Sequence, residues 1–544
     1  MLTSAARVLP PLAATHSNIH TNRTVSETTA SSDASLIPWP ADIRFGDGFY
    51  RFTEASAIRL EGNLRALAPL AALLADALKR ITNGRPMPIL DACPGIHGAI
   101  VLRLAERCSP PRAGMDDEGY TLDVTTDGVT IESETAVGIF YGIQTLQQLL
   151  PLEAAAELPF VHIEDKPRYP WRGMHLDCVR HFMPVPFLKK LIDVMAAFKF
   201  NTFHWHLTDD QGWRLESKRY PRLTEIGAWR SETVLGFEKG PGDGVPHGGF
   251  YTCEEAREIV DYAAARFITV VPEIEMPGHA TAALAAYPEY SCTGGPFAVA
   301  TEWGVFKDVF CIGNDATLAF FESVIDEMLE IFPSAFIHVG GDECPKERWR
   351  TCPKCQARMR AEGLADEDAL QSWIISRMSR FLRSRERRLI GWDEILEGGL
   401  AEGAAVMSWR GEEGGIQAAN AGHDVVMTPG DRVYFNFSQD RPETNPLLQE
   451  IPYTSLESVY HYEPTPANIE PSKRHHVIGA QGQLWTEYMP STRQVEYMAF
   501  PRALALAEVL WSPSASRDYE AFTTRLASLL PRLDAFGVNY RQNC

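Results

Sequence analysis

Between residues 166 and 512 the chain repeats one pattern of apolar and polar positions. Short apolar runs lie at 173–178, 201–207, 267–275, 335–340, 388–392, 405–409, 425–428 (continued at 433–436) and 477–485. Between several of them apolar residues return every three or four positions, at 186–198, 253–266, 315–331 and 366–387. The runs read as buried strands and the spaced segments as amphipathic helices. Strands alternating with helices predict parallel βαβ units, and eight of them predict an α/β fold of the (β/α)8 TIM-barrel type. Residues 36–165 follow another rhythm. An Ala/Leu-rich helix is expected over 64–81 and a second over 136–150, ahead of Pro151. Tyr120-Thr-Leu-Asp-Val124 and Val129-Thr-Ile-Glu-Ser133 alternate around Asp127-Gly128, the signature of a hairpin. The pattern therefore divides the chain into a leader or linker (1–35), a small α+β domain (36–165) and a barrel (166–544). The Pro- and Tyr-rich stretch 438–471 reads as a long loop before the last strand, where loops often carry function.

Composition changes this picture little. With 45% apolar and 22% charged residues the chain is ordinarily globular. Its net charge of −20 argues against nucleic acid or an anionic membrane surface as partner, since both need a basic face. No stretch approaches the roughly 20 apolar residues of a membrane span. The apolar run 8–14 is broken by Pro10 and Pro11 and makes a poor signal-peptide core, so the compartment stays open between cytoplasmic and periplasmic or secreted. The ten cysteines are too sparse for a disulfide scaffold. A Cys292–Cys311 bridge is plausible. Cys352-Pro-Lys-Cys355, with Cys344 upstream, suggests zinc, but a structural zinc needs four ligands and no fourth stands at a convincing spacing. No metal or cofactor is expected.

The chemistry gathers where a barrel puts it, at the C-terminal ends of strands. The first strand runs out at Asp177 and Arg180, the second at Asp209-Asp210, the third at Glu275 and His279. The fourth ends in Gly340-Gly341-Asp342-Glu343, where the diglycine lets the backbone bend so that both acids can reach one cavity. The remaining four ends carry Trp392, Trp409, Tyr434 with Asn436, and Trp485 with Glu487. Singly, an Asp-Glu pair is usually a solvated loop and a Trp usually packing. Jointly, carboxylates among aromatic walls are the chemistry of glycoside hydrolysis: an acid protonates the leaving oxygen, and flat rings face sugar C–H groups.

The blocks Arg172-Gly-Met-His-Leu-Asp-Cys-Val-Arg-His-Phe182, Phe203-His-Trp-His-Leu-Thr-Asp-Asp-Gln-Gly-Trp213, Pro272-Glu-Ile-Glu-Met-Pro-Gly-His279, His338-Val-Gly-Gly-Asp-Glu343, Gly391-Trp-Asp-Glu394 and Gln483-Leu-Trp-Thr-Glu487 stand in an order that resembles glycoside hydrolase family 20, the β-N-acetylhexosaminidases. Glu118-Gly-Tyr-Thr-Leu122 and Gly138-Ile-Phe-Tyr-Gly-Ile-Gln-Thr-Leu146 extend the resemblance into the small domain. The resemblance implies a retaining exo-enzyme on terminal GlcNAc or GalNAc of β-linked N-acetylhexosamine glycans. Its nucleophile is the substrate's own acetamido oxygen, passing through an oxazolinium intermediate, a recognised exception to the two-carboxylate scheme. Glu343 then serves as acid and base, and Asp342 holds the acetamido N–H. Tyr434 bonds the acetamido oxygen, and Trp392, Trp409 and Trp485 wall its methyl. Arg180, Asp209 and Glu487 bind hydroxyls, and His279 with Glu275 supports the acids.

Two departures stand out. The loop 438–471 offers Tyr453, Tyr460 and Tyr462 as platforms for a second sugar but no Trp, and Asn436 stands where some members carry Asp. Two rivals use the same residues: a β-glycosidase with a protein nucleophile (Glu487 or Asp209), and a non-catalytic carbohydrate-binding protein.

Overall fold

A computed structural model describes residues 35–542 apart from 80, 81, 83, 92–97, 107–117, 153–156 and 441–450. The leader expected over 1–35 falls almost wholly outside the described residues. Two sheets organise the rest.

The small domain is built on a seven-stranded sheet. Its order is Asp42–Arg51, Glu157–Asp165, Tyr120–Thr125, Gly128–Ser133, Ala99–Leu104, Ile58–Glu61 and Ile89–Asp91. The expected hairpin is present, with Val124 opposite Val129 and Thr125 opposite Gly128. Helices Leu64–Leu78 and Ala136–Leu149 are the two expected, and the first ends ahead of residue 81. Asn63 and Thr135 start them, each side chain accepting a backbone N–H of the first turn.

The second sheet is a closed barrel of eight parallel strands, here numbered first to eighth: Trp171–Asp177, Thr202–His206, Thr269–Glu273, Phe336–His338, Arg388–Trp392, Ala405–Ser408, Val425–Met427 and Val477–Gly482. The first two are buried at every position, because helices cover the outside and side chains fill the inside. Trp171, Val271, Ile390, Met407 and Val426 pack an apolar layer in the lumen. One correction concerns the seventh strand. Residues 433–436 do not continue it: Gly430–Val433 is a short helix, and Tyr434 makes only an isolated bridge to Gln483. The stretch 438–471 also contains a helix, Leu456–Tyr460. No helix among the described residues is long and apolar enough to cross a membrane.

The two sheets meet through buried charge. Arg172 of the first strand binds Glu118 with both terminal nitrogens, at 2.6 and 3.1 Å, and the Tyr141 hydroxyl at 2.9 Å. Lys199 binds Asp165 at 2.9 Å, and the Trp511 indole N–H donates to the same carboxylate.

Candidate active site

The third strand starts the site. Alternation puts Val271 and Glu273 on the lumen side. The Glu273 carboxylate is completely buried and takes bonds from several sides: His206 Nδ1 at 2.5 Å, His338 Nδ1 at 2.8 Å and the Trp392 indole at 2.8 Å. A buried carboxylate needs this many partners to stay charged, and the surrounding imidazoles hold it well below the usual carboxylate range despite burial. His206 passes the chain of contacts on to Asp209, at 2.9 Å.

Asp209 is saturated. Besides His206 it binds Arg180 at 2.9 Å and His279 Nδ1 at 3.0 Å. It therefore sits behind the cavity rather than on its wall, which corrects its expected role as a hydroxyl binder. His279 Nδ1 bonds Asp209 and also Asp210, the latter at 3.1 Å. Its other nitrogen lies 3.6 Å from both Asp342 and Glu343. Burial opposes charge on this imidazole, but Asp209 and Asp342 prevail and raise its proton affinity well above the ordinary value. The imidazolium in turn, 3.6 Å away, holds Glu343 below the usual carboxylate range.

Backbone geometry fixes the acids. Gly340 (φ 64°) and Gly341 (φ 95°) are left-handed, and so are Glu343 (φ 43°) and His279 (φ 46°), conformations in which L-residues store strain. A Cβ on Gly340 would lie 1.7 Å from the Glu275 carboxylate, so Glu275 packs where only glycine leaves room. Neither Glu275 oxygen has a hydrogen-bond partner among the described residues. Burial, then the charge of Asp342, raises that carboxyl well above the usual range.

The resulting cavity, of about 240 Å³, is lined by Arg180, His279, Asp342, Glu343, Trp392, Trp409, Tyr434, Asn436, Phe437, Trp485 and Glu487. Trp409 and Tyr434 stack nearly parallel at 6.3 Å, and Trp392 meets Trp485 at 5.8 Å. The Trp409 indole is aimed by Glu394, which accepts its N–H at 2.9 Å. Burial pushes the Tyr434 hydroxyl well up, so it keeps its proton and can donate. Asp342 Oδ1 is buried without a hydrogen-bond partner among the described residues, an acceptor at the cavity wall.

This architecture has known counterparts. The description "Glycosyl hydrolase family 20, catalytic domain" matches residues 169–514, and "Glycosyl hydrolase family 20, domain 2" matches residues 33–166. The chain belongs to glycosyl hydrolase family 20. A β-hexosaminidase of Porphyromonas gingivalis is 45% identical over 93% of this chain, which spans 64% of that relative's length. The family 20 β-N-acetylhexosaminidase of Streptomyces coelicolor superposes with a TM-score of 0.80 at 33% identity, covering 94% of this chain and 98% of the other. The Vibrio harveyi exo-β-N-acetylglucosaminidase, solved with N-acetylglucosamine, also gives 0.80, at 32% identity over 95% and 80% of the two chains.

Of the residues singled out in this family 20 chain, Arg180, His279, Asp342, Glu343, Trp392, Trp409, Tyr434, Asn436, Trp485 and Glu487 reach one cavity. Glu275 and Asp209 stand behind it. Tyr460 and Tyr462 are buried and cannot form a sugar platform, while Tyr453 is exposed. Glu273, His206 and Phe437 escaped the sequence reading. Glu273 was accessible to it, since it lies two residues before Glu275 in the run 267–275 read as a strand, where alternation gives both one face. Phe437 carried no such signal.

Proposed function

We propose that the chain is a retaining exo-β-N-acetylhexosaminidase that removes terminal GlcNAc or GalNAc by substrate-assisted catalysis. The observation that carries this reading is the buried, unpartnered Asp342 Oδ1 beside Glu343 in an aromatic pocket. It is an acceptor suited to an acetamido N–H, as Tyr434 is a donor suited to the acetamido oxygen. Held between them, the acetamide is aimed at the anomeric carbon, and the aromatic walls exclude water from its methyl. At about 240 Å³ the cavity lies below the roughly 300–1,000 Å³ of drug-sized ligand sites, which suits one sugar ring and an exo mode.

Glu343 must carry a proton to assist departure of the aglycone. In the free site the His279 imidazolium, with Nε2 3.6 Å away, keeps Glu343 ionised; a bound sugar that displaces water desolvates this carboxylate, raises its proton affinity and lets it take up a proton from solvent. The same Glu343, once deprotonated, activates the water that opens the oxazolinium. A protein nucleophile is less well supplied: Asp209 is committed to three partners, and Glu487 lies 3.6 Å from Arg180.

Initial rates on the 4-nitrophenyl β-glycosides of GlcNAc, GalNAc and glucose test this. Turnover of the two acetamido sugars without glucose is expected. Equal turnover of glucose would withdraw the roles of Asp342 and Tyr434, and binding without any turnover would favour the carbohydrate-binding rival.

A further inference from the structure

The structure brings together four cysteines that the sequence keeps apart. Cys292, Cys311, Cys352 and Cys355 place their sulfurs within 4.8 Å of one another. Cys292 to Cys355 is 3.8 Å, and Cys311 is 3.7 Å from both Cys352 and Cys355. No disulfide joins them, so the Cys292–Cys311 bridge that the sequence left open is not formed, and Cys344 stands outside the group. Four sulfurs each about 2.3 Å from one zinc ion, in a tetrahedron, lie about 3.8 Å apart along every edge. These three separations match that edge.

We infer that these four thiolates hold a structural zinc ion, a divalent metal site separate from the sugar cavity. Cys311, Cys352 and Cys355 are buried and Cys292 is half-buried, so the donor set is closed and leaves no position for a reacting water. Two short turns present the sulfurs: Cys352-Pro-Lys-Cys355, opening the helix Pro353–Glu362, and Cys311-Ile-Gly313 across from it. Gly313 is what lets them meet. A Cβ there would lie 2.1 Å from the Lys354 carbonyl carbon and 2.2 Å from the Cys355 nitrogen. Binding is balanced as four thiols and one Zn²⁺ giving a tetrathiolate complex and four released protons; no redox partner is needed.

The site has a structural consequence for catalysis. Cys292 and Cys311 belong to the segment after the third strand, which carries Glu275 and His279. Cys352 and Cys355 belong to the segment after the fourth, which carries Asp342 and Glu343. Other links run between these segments: the Trp349 indole donates to the Phe310 carbonyl at 2.9 Å, and Arg348 pairs with Asp308 at 2.6 Å. The metal therefore clamps together the two loops whose charged groups meet over 3.6 Å at His279.

The test is the metal content of the full chain, purified with a thiol reductant and no added metal, measured by elemental mass spectrometry. One zinc per chain is expected, released in full when a mercurial titrates the thiols. Cobalt exchange should give the sulfur-to-cobalt charge-transfer bands of a tetrathiolate site. Cys355→Ser and Cys292→Ser should each lose most of the metal and melt at lower temperature, with kcat reduced more than KM. Metal-free wild-type protein that is folded and active would overturn the inference, whether peptide mapping then finds the four residues as free thiols or as two disulfides. The wild-type measurement decides even where a serine variant fails to fold. A visible spectrum of iron tetrathiolate in the purified protein would keep the donor set and overturn the assignment to zinc.

Discussion

In the proposed mechanism Glu343 and Asp342, two neighbouring carboxyls, do different work, and their surroundings already differ. Glu343 is the more exposed, with 39% of its side chain accessible against 12% for Asp342. Glu343→Gln removes proton delivery, so kcat on aglycones that leave poorly should fall about 10²–10⁴-fold, with a smaller loss on 4-nitrophenyl leaving groups. A wild-type rate on a chitobiose-type substrate would exclude it as the acid. Asp342→Asn should lower kcat more than it raises KM, because its charge helps most where positive charge develops; steady-state kinetics separate the two. Glu394 gives a pH prediction. Burial, then the charge of Asp342, raises its carboxyl to about 8, against about 4.3 in an unfolded chain. A raised folded value means that stability is fully present below about pH 4.3 and is lost as pH rises through 8. Glu394→Gln keeps an acceptor for the Trp409 indole and does not ionise. Its melting temperature should therefore gain on wild type steadily from pH 5 to pH 8, by an amount on the order of a few kcal/mol in stability. A parallel pair of pH–melting curves would refute the assignment.

At the scale of elements, the site depends on how strands end. The fourth strand stops at His338, and two left-handed glycines then swing Asp342 and Glu343 over the lumen. The turn is held by the Gln371 amide on the Gly341 carbonyl at 2.8 Å and by the Trp392 amide on the Gly340 carbonyl at 2.9 Å. Gly340→Ala forces a Cβ into a left-handed residue, at about 1–3 kcal/mol, and into the Glu275 carboxylate besides. Lower melting temperature and a large loss of kcat are expected. Adding Glu275→Ala should recover part of the stability, which a double-mutant cycle reads directly.

At the scale of the molecule, none of the small domain's described residues lines the cavity, but the domain is bolted to the barrel by Glu118, Tyr141 and Asp165. Arg172 is completely enclosed, with burial opposing its charge and Glu118 restoring it. Glu118→Ala strands that guanidinium, and breaking such a buried pair costs about 3–5 kcal/mol. Thermal unfolding should show a markedly earlier transition, while KM of the residual native enzyme stays near wild type. The domain thus sets the stability of the first barrel strand, whose far end supplies Asp177 and Arg180.

The sequence by itself determined the barrel and most of the cavity. Strand and helix periods differ, so eight alternations were readable, and barrel strands deliver their C-terminal residues to one face whatever their spacing along the chain. That is why Arg180, Asp342, Trp392 and Trp485 could be placed together although Arg180 and Trp485 lie 305 residues apart. Position on a face was legible; commitment of a side chain was not. Asp209 and Glu487 look equivalent as acids at strand ends. Only packing shows that Asp209 is consumed by Arg180, His206 and His279. The same holds for Tyr460, whose hydroxyl is taken up by Glu508 inside the protein, and for residues 433–436, whose apolar run serves a short helix and a bridge. The four cysteines are the clearest case. Their spacings of 19, 41 and 3 residues carry no local signal beyond one Cys-x-x-Cys. They converge because Gly313 lets two loops touch, and such contact between distant segments is decided by tertiary structure alone.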